Sequence, residues 1–199
     1  LLENPGNVIA DFSKRKEIIR NAIVAEGEKL NARTVVDEAL LDEVTSLVEY
    51  PVALTGQFDK EFLDVPAEAL ILAMKSHQKC FYLLDKEDQL LPYFVTVSNI
   101  RSNDPSQVIE GNERVIRPRL ADAKFFYETD QQTSLESRLD QLKKVVFQAK
   151  LGTVFERSER VAKLAKFIAT ATGADEIQSE RAALLSKCDL VSNMVGEFA

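Results

Sequence analysis

Apolar residues recur at three- and four-residue spacing along much of this chain, and that rhythm predicts helices. Over residues 12–30, Ile19, Ala22, Ile23 and Leu30 fall near one face, with Ile18 and Ala25 widening it; Asp11 or Ser13 is positioned to cap the start. A second helix is expected from about Asp37, carrying Leu40, Leu41, Val44, Leu47 and Val48, and stopping before Pro51. "VALTGQF" at 52–58 reads as a short strand. Pro66 suits the first turn of a helix that carries Leu70, Met74 and His77 along one side. "KCFYLL" and "LLPYFVTVSN" are β-rich runs separated by polar "DKEDQ", which predicts an antiparallel hairpin with a longer loop.

The pattern changes after Asn99. "IRSNDPSQ" has turn chemistry, and from about Pro105 onward only helical spacing is found. Ile116, Leu120, Ala123 and Tyr127 form one stripe; Leu135, Leu139, Leu142, Val146 and Ala149 a second; Val161, Leu164, Ala165, Ile168 and Ala169 a third. Leu184, Leu185, Cys188, Val191 and Val195 supply a last apolar face. The expected class is α+β: a mixed helix and antiparallel-sheet module over 1–130, then an all-helical segment over 131–199, with a soft boundary at "ETDQQTS", residues 128–134.

Composition adds limits. The 199 residues are 45% hydrophobic and 29% charged, an ordinary globular balance. No apolar run approaches the roughly 20 residues that cross a bilayer, and the N-terminus lacks the layout of a secretory signal. The chain begins without Met inside an apolar stretch and stops within a helical pattern, so a piece of a longer polypeptide is expected. Cys80 and Cys188 are far apart and outside any CxxC, which points to two free, buried thiols in a reducing cytosol rather than a disulfide or metal framework.

The net charge of −7 argues against wholesale wrapping of nucleic acid, yet positive charge is concentrated in two places. "EGNERVIRPRLADAKFF" holds Arg114, Arg117 and Arg119 around Pro118, which removes a helical N–H and requires the helix to kink or restart. These arginines offer a phosphate-binding edge, or they pair with Glu110, Glu113 and Asp122 to fix the helix; the Glu113–Arg117 and Arg119–Asp122 spacings favour the structural use. Residues 138–166 carry eight positive and three negative side chains. Lys143, Lys144, Lys150, Arg157 and Arg160 are the candidates there for phosphate contact, while Glu156–Arg160 and Glu159–Lys163 have the spacing of self-paired charges on a solvated face.

No enzymatic constellation accompanies them. The seven glycines make no GxxxxGK[ST] or GxGxxG loop. His77, the single histidine, lacks a carboxylate at a compelling spacing and reads as a structural or partner-facing residue rather than a general base. No catalytic, cofactor-binding or metal-ligating residue is assigned.

Long blocks of the sequence nevertheless match one family in order. "ENPGNVIADFSKRKEII", "LLDEVTSLVEYPVALTGQF", "FLDVPAEALILAMKSHQKCF", "VIEGNERVIRPRLADAKFFYETD", "LKKVVFQAKLGTVFERSERV" and "ERAALLSKCDLVSNMVGEF" resemble the β subunit of bacterial heterotetrameric glycyl-tRNA synthetase across essentially the whole chain. The resemblance implies an internal fragment of a cytoplasmic aminoacyl-tRNA synthetase subunit. Its partners would be the α subunit, which holds the aminoacylation site and uses ATP, and tRNA(Gly); no membrane and no DNA are expected. It also implies that the first two thirds are similar to the editing module of phenylalanyl-tRNA synthetase and that the last third begins a degenerate HD-type domain. The matching helix reads "LLSKCDL", so Asp189 lacks a preceding histidine, and metal-dependent phosphohydrolase activity is not expected. A purely structural scaffold and, further off, an HD-type hydrolase are the alternatives.

Overall fold

Asp11 starts the first helix by accepting a hydrogen bond from the Lys14 backbone N–H at 2.8 Å. The helix, α1, runs Phe12–Lys29 and buries Ile19, Ile23 and Gly27. β1 (Arg33–Thr34) follows, and Asp37 caps α2 (Glu38–Leu47) through the Leu40 N–H at 2.9 Å. Both helices lie where the periodicity puts them, but the stripes are narrower than expected. Leu30 and Leu47 are exposed because they stand at the helix ends, Leu30 just past the close of α1 at Lys29 and Leu47 as the last residue of α2, although it shares a face with buried Leu40 and Val44.

β2 (Val52–Gln57) leads into a 3₁₀ turn, Lys60–Asp64. Pro66 stands one position earlier than expected, as the N-cap of α3 (Ala67–Leu72), and the chain continues as a π-helical turn over Ala73–His77. Leu70 and Met74 are buried there, whereas His77 is not. β3 (Phe81–Leu84) and β4 (Leu90–Ser98) form the anticipated hairpin. In its loop the Asp85 carboxylate accepts from the Glu87 and Gln89 N–H groups, both at 2.9 Å, and Asp88 takes the left-handed conformation.

The strands make one antiparallel sheet in the order β1-β3-β4-β2. One face carries Phe81, Leu83 and Val95, packed with Ile19, Ile23, Leu41 and Val44 from the two helices. Phe94, on the opposite face by strand alternation, is fully buried. Its partner across the ladder is Gly56, and the Phe94 ring occupies the space a Gly56 Cβ would need.

The computed structural model describes residue 3 and residues 6–198, which divide into two compact units, Leu1–Lys124 and Phe125–Ala199. The division falls inside α4 (Pro105–Gln131). Pro105 occupies the first helical position, where its missing N–H costs nothing. Of the two outcomes expected at Pro118, a restart does not occur: one helix runs through it, with buried Ile116 and Leu120 on either side.

The second unit is not all-helical, which corrects the sequence reading. After a 3₁₀ turn at Glu136–Arg138 and the single-turn α5 (Leu139–Leu142), β5 (Val146–Gln148) and β6 (Gly152–Thr153) pair antiparallel. The expected stripe from Leu135 to Ala149 is therefore broken, with Leu142 buried and Val146 exposed. α6 (Val154–Thr172) and α7 (Glu176–Leu185) follow, then a 3₁₀ turn at Cys188–Val191 and α8 (Asn193–Phe198). Of the stripe expected on α6 only Ala169 is buried, together with Val154, Ser158 and Ala162; Ala165 is half-buried, and Val161, Leu164 and Ile168 are exposed.

Substituting Gly56 with Ala is expected to destabilise the first unit by about 1–3 kcal/mol, since the added methyl meets the Phe94 ring inside a packed sheet. Chemical denaturation measures it; an unchanged midpoint would mean that the ring moves aside at no cost.

Candidate nucleic-acid interface

The candidate arginines of α4 do not form one cluster. Arg114 and Arg117 share a helix face and, with Glu110, Glu113 and Pro118, line a shallow surface groove. Arg119 is two residues from Arg117, roughly 200° around the helix. All three are exposed. Arg117 reaches Asp59, the N-cap of the 3₁₀ turn, at 3.3 Å rather than Glu113. Glu113 instead accepts the Gln57 backbone N–H at 2.9 Å. Within the first unit, therefore, one of the three arginines has a structural ion pair, as the structural alternative holds, though with a different acid.

The candidates of the second unit do come together, around β5 and β6. The hairpin is fastened to α6 by a capping box: Thr153 N–H donates to Glu156 Oε2 at 2.6 Å, and Glu156 N–H donates to Thr153 Oγ1 at 3.2 Å. Hydrogen bonds from the Thr153 backbone and side chain hold the Glu156 carboxyl below its usual range. Gly152 sits at φ +86°, and a side chain there would collide with Glu156. At the hairpin tip Lys150 N–H donates to Gln148 Oε1 at 2.7 Å, and Arg160 donates back to the Leu151 carbonyl at 3.1 Å.

Arg160 thus braces the hairpin instead of forming the expected helical bridge to Glu156. Lys143 pairs with Asp140 at 2.7 Å, and its ammonium lies 4.9 Å from the Phe155 ring centroid. Arg157 stacks its guanidinium over Phe147, 4.6 Å from the centroid. Among the described residues Lys144, Lys150, Arg157 and Arg160 have no acidic salt-bridge partner. The result is a hairpin bearing Phe147 and Lys150, with Lys144 just before it and Arg157 and Arg160 beside it on α6, so that positive charge lies next to an aromatic ring and is able to meet a polyanion.

Arg138 belongs to the same basic stretch but has a different role. It is 6% exposed and donates to the Asp130 carboxylate at 2.8 Å, to Thr133 Oγ1 at 2.6 Å and to the Asp130 carbonyl at 3.1 Å. Asp130 also accepts from the Asn193 and Met194 N–H groups at 3.1 and 2.8 Å. Burial pushes the Asp130 carboxyl up, but bonds from Met194, Arg138 and Asn193 outweigh it and hold the group below its ordinary value. Sequence periodicity gives no sign of this node, because its members are 63 residues apart in the Asp130–Asn193 contact.

Other candidates for chemistry are quiet. Burial raises the Cys80 thiol to about 12, against a small opposing effect of Thr96, and burial also raises Cys188. Asp189 is exposed in the 3₁₀ turn after α7. Among the described residues no three His, Cys, Asp or Glu side chains converge as a metal site, and no helix is long and apolar enough to cross a membrane.

The fold is a mixed α/β unit joined in sequence to a smaller, mainly helical unit that carries an exposed basic hairpin region. Comparison with known proteins gives the family. A family model described as glycyl-tRNA synthetase beta subunit matches residues 1–199. The glycine–tRNA ligase beta subunit of Marinobacter nauticus is 56% identical over 199 residues, all of this chain and 29% of that protein. Those of Chromohalobacter salexigens and Psychromonas ingrahamii are 57% and 56% identical, over 28% and 29% of their lengths. This chain belongs to the glycyl-tRNA synthetase β-subunit family, and it spans somewhat under a third of the relatives it matches.

Asp130→Asn is expected to destabilise the second unit by about 3 kcal/mol by leaving Arg138 buried without its counter-charge. Because the Asp130 carboxyl is depressed in the folded state, its contribution is present above the unfolded value near 3.8 and disappears as pH falls through the lower folded value. Hydrogen exchange of 125–198 across an acid titration checks both: the wild type loosens below about pH 4, and the variant is loose already at neutral pH. Equal protection at neutral pH would contradict the assignment.

Proposed function

We propose that this chain is an internal, non-catalytic part of the tRNA-recognising β subunit of glycine–tRNA ligase. It supports the ATP-dependent glycylation of tRNA(Gly) in translation, in the cytoplasm. The bond-forming chemistry and the use of ATP belong to the α subunit, its partner in the assembly. Family membership over the full 199 residues is the observation that carries this reading.

In this reading residues 1–130 are an editing-like module without an assigned active site, and 131–199 begin a degenerate HD-like domain. Burial of both thiols, Cys80 and Cys188, which raises their pKa, supports a part without its own thiolate nucleophile. The chain instead contributes surface. Lys143 and Lys144 in the turn before the hairpin, Lys150 at its tip and Arg157 and Arg160 on α6 meet tRNA phosphates, with Arg114, Arg117 and Arg119 of α4 as a further edge. Phosphate contacts hold an RNA in register without reading its sequence, so such a surface adds affinity and orientation while specificity is set elsewhere.

Replacing Lys144, Lys150, Arg157 and Arg160 together with Glu in the full-length enzyme is expected to weaken tRNA(Gly) binding by more than about tenfold and to flatten the salt dependence by roughly 0.7–0.9 in log–log slope for each phosphate no longer neutralised. Filter binding at several salt concentrations reads both quantities. Unchanged affinity and slope would leave this region as a scaffold, with RNA held by other parts of the subunit.

A further inference from the structure

The apolar side chains of the β5–β6 hairpin are poorly explained by folding. All three residues of β5 are exposed, with Val146 at 70% and Phe147 at 42%, and Leu151 at the tip is 55% exposed. Strand side chains alternate between faces, so a hairpin laid on a core hides one set; here both faces stay open. Large apolar residues grouped on a surface mark a contact site.

Their surroundings select the kind of contact. Arg157 stacks on Phe147, Arg160 donates to the Leu151 carbonyl, and Lys144 and Lys150 stand three residues before and after Phe147; none has an acidic salt-bridge partner among the described residues, and Glu156, which feels Arg160, is turned to the Thr153 backbone. Positive charge alone would suit any polyanion. Phe147 adds something more specific: Arg157 covers one ring face at 4.6 Å, yet much of the ring remains accessible. A rigid aromatic ring backed by a guanidinium and flanked by lysines is the arrangement on which a nucleobase stacks while its phosphates are held. Duplex RNA keeps its base faces within the stack, so only an unpaired or turned-out base offers one.

We infer that Phe147, steadied by Arg157, stacks against an unpaired nucleobase of the bound RNA, while Lys144, Lys150 and Arg160 hold the adjacent phosphates. This rests on the tRNA-handling reading above and adds the class of nucleotide that the surface takes. The bracing of the hairpin by the Thr153–Glu156 capping box and by Arg160 fixes the ring before the RNA arrives, which lowers the ordering cost of the interaction.

The test uses the full-length enzyme and a tRNA(Gly) transcript, with Phe147→Ala, Phe147→Tyr and the double variant K150E/R160E. Phe147→Ala is expected to weaken binding about tenfold with an unchanged salt slope, because it removes a stacking platform and leaves the phosphate-binding cations in place. Phe147→Tyr restores most of the affinity, and equal thermal midpoints show that the ring is not needed for folding. Wild-type affinity in Phe147→Ala, with K150E/R160E weakened, overturns the stacking alone. No effect in either variant removes the tRNA reading of this surface as well. Failure of subunit assembly in Phe147→Ala at unchanged RNA affinity would assign the hairpin to a protein partner and overturn the inference.

Discussion

A buried arginine sets the conditions for the second unit. Arg138 is almost shut off from solvent, and its charge is met by the Asp130 carboxylate, which also accepts backbone N–H groups of Asn193 and Met194. One carboxylate thereby joins the end of α4, the 3₁₀ turn and the start of α8. The apolar core beside it is small, with Leu142, Val154 and Cys188 as its fully or nearly buried members. Loss of either partner would leave the other buried and unpaired, so the ordering of these segments requires the pair intact. β5, β6 and the first turn of α6 take their positions from that arrangement, since Val154 belongs to the core and its N–H donates to the Val145 carbonyl at 2.8 Å.

The first unit is built the other way. Its stability resides in a sheet face covered by two amphipathic helices, where Ile19, Ile23, Leu41, Phe81, Leu83 and Val95 are all fully buried. Charge there lies on the surface: Arg20 and Lys16 bind Glu38 and hold its carboxyl down to about 2, with Arg20 the larger influence. Such exposed pairs tune the surface more than they hold it together. The arginines of α4 follow the same logic, with Arg117 engaged by Asp59 and the others exposed.

This contrast explains what the amino-acid pattern discloses. α1, α2 and the β3–β4 hairpin are legible because a large, one-sided apolar core imposes clean periods of 3.6 and 2 on the residues facing it, and because Asp11 and Asp37 are strong caps. The second unit reads as wholly helical because Leu142 and Val146 are four apart, a helical interval, although one is buried and the other lies exposed in a strand. α6 misleads in a different way: it is apolar on two sides, and the smaller side, with Ser158, Ala162 and Ala169, is the one buried. The basic cluster is visible as composition, but Arg138 looks like its surface neighbours, since the Asn193 contact of its counter-ion lies across the fold. The aromatic component of the candidate interface, Phe147 under Arg157, has no signal in the pattern; the Phe147–Arg157 spacing of ten residues becomes a contact only through the hairpin.

We propose that this part of the β-subunit family's chain holds RNA, with a braced, basic and partly aromatic hairpin as the contact element. Hydrogen exchange of the full-length enzyme with and without tRNA(Gly) tests that claim most directly. Slowed exchange over residues 143–160, centred on the hairpin and the first turns of α6, is the predicted result. Unchanged exchange across that segment, under conditions where the tRNA is bound and other regions are protected, would contradict it.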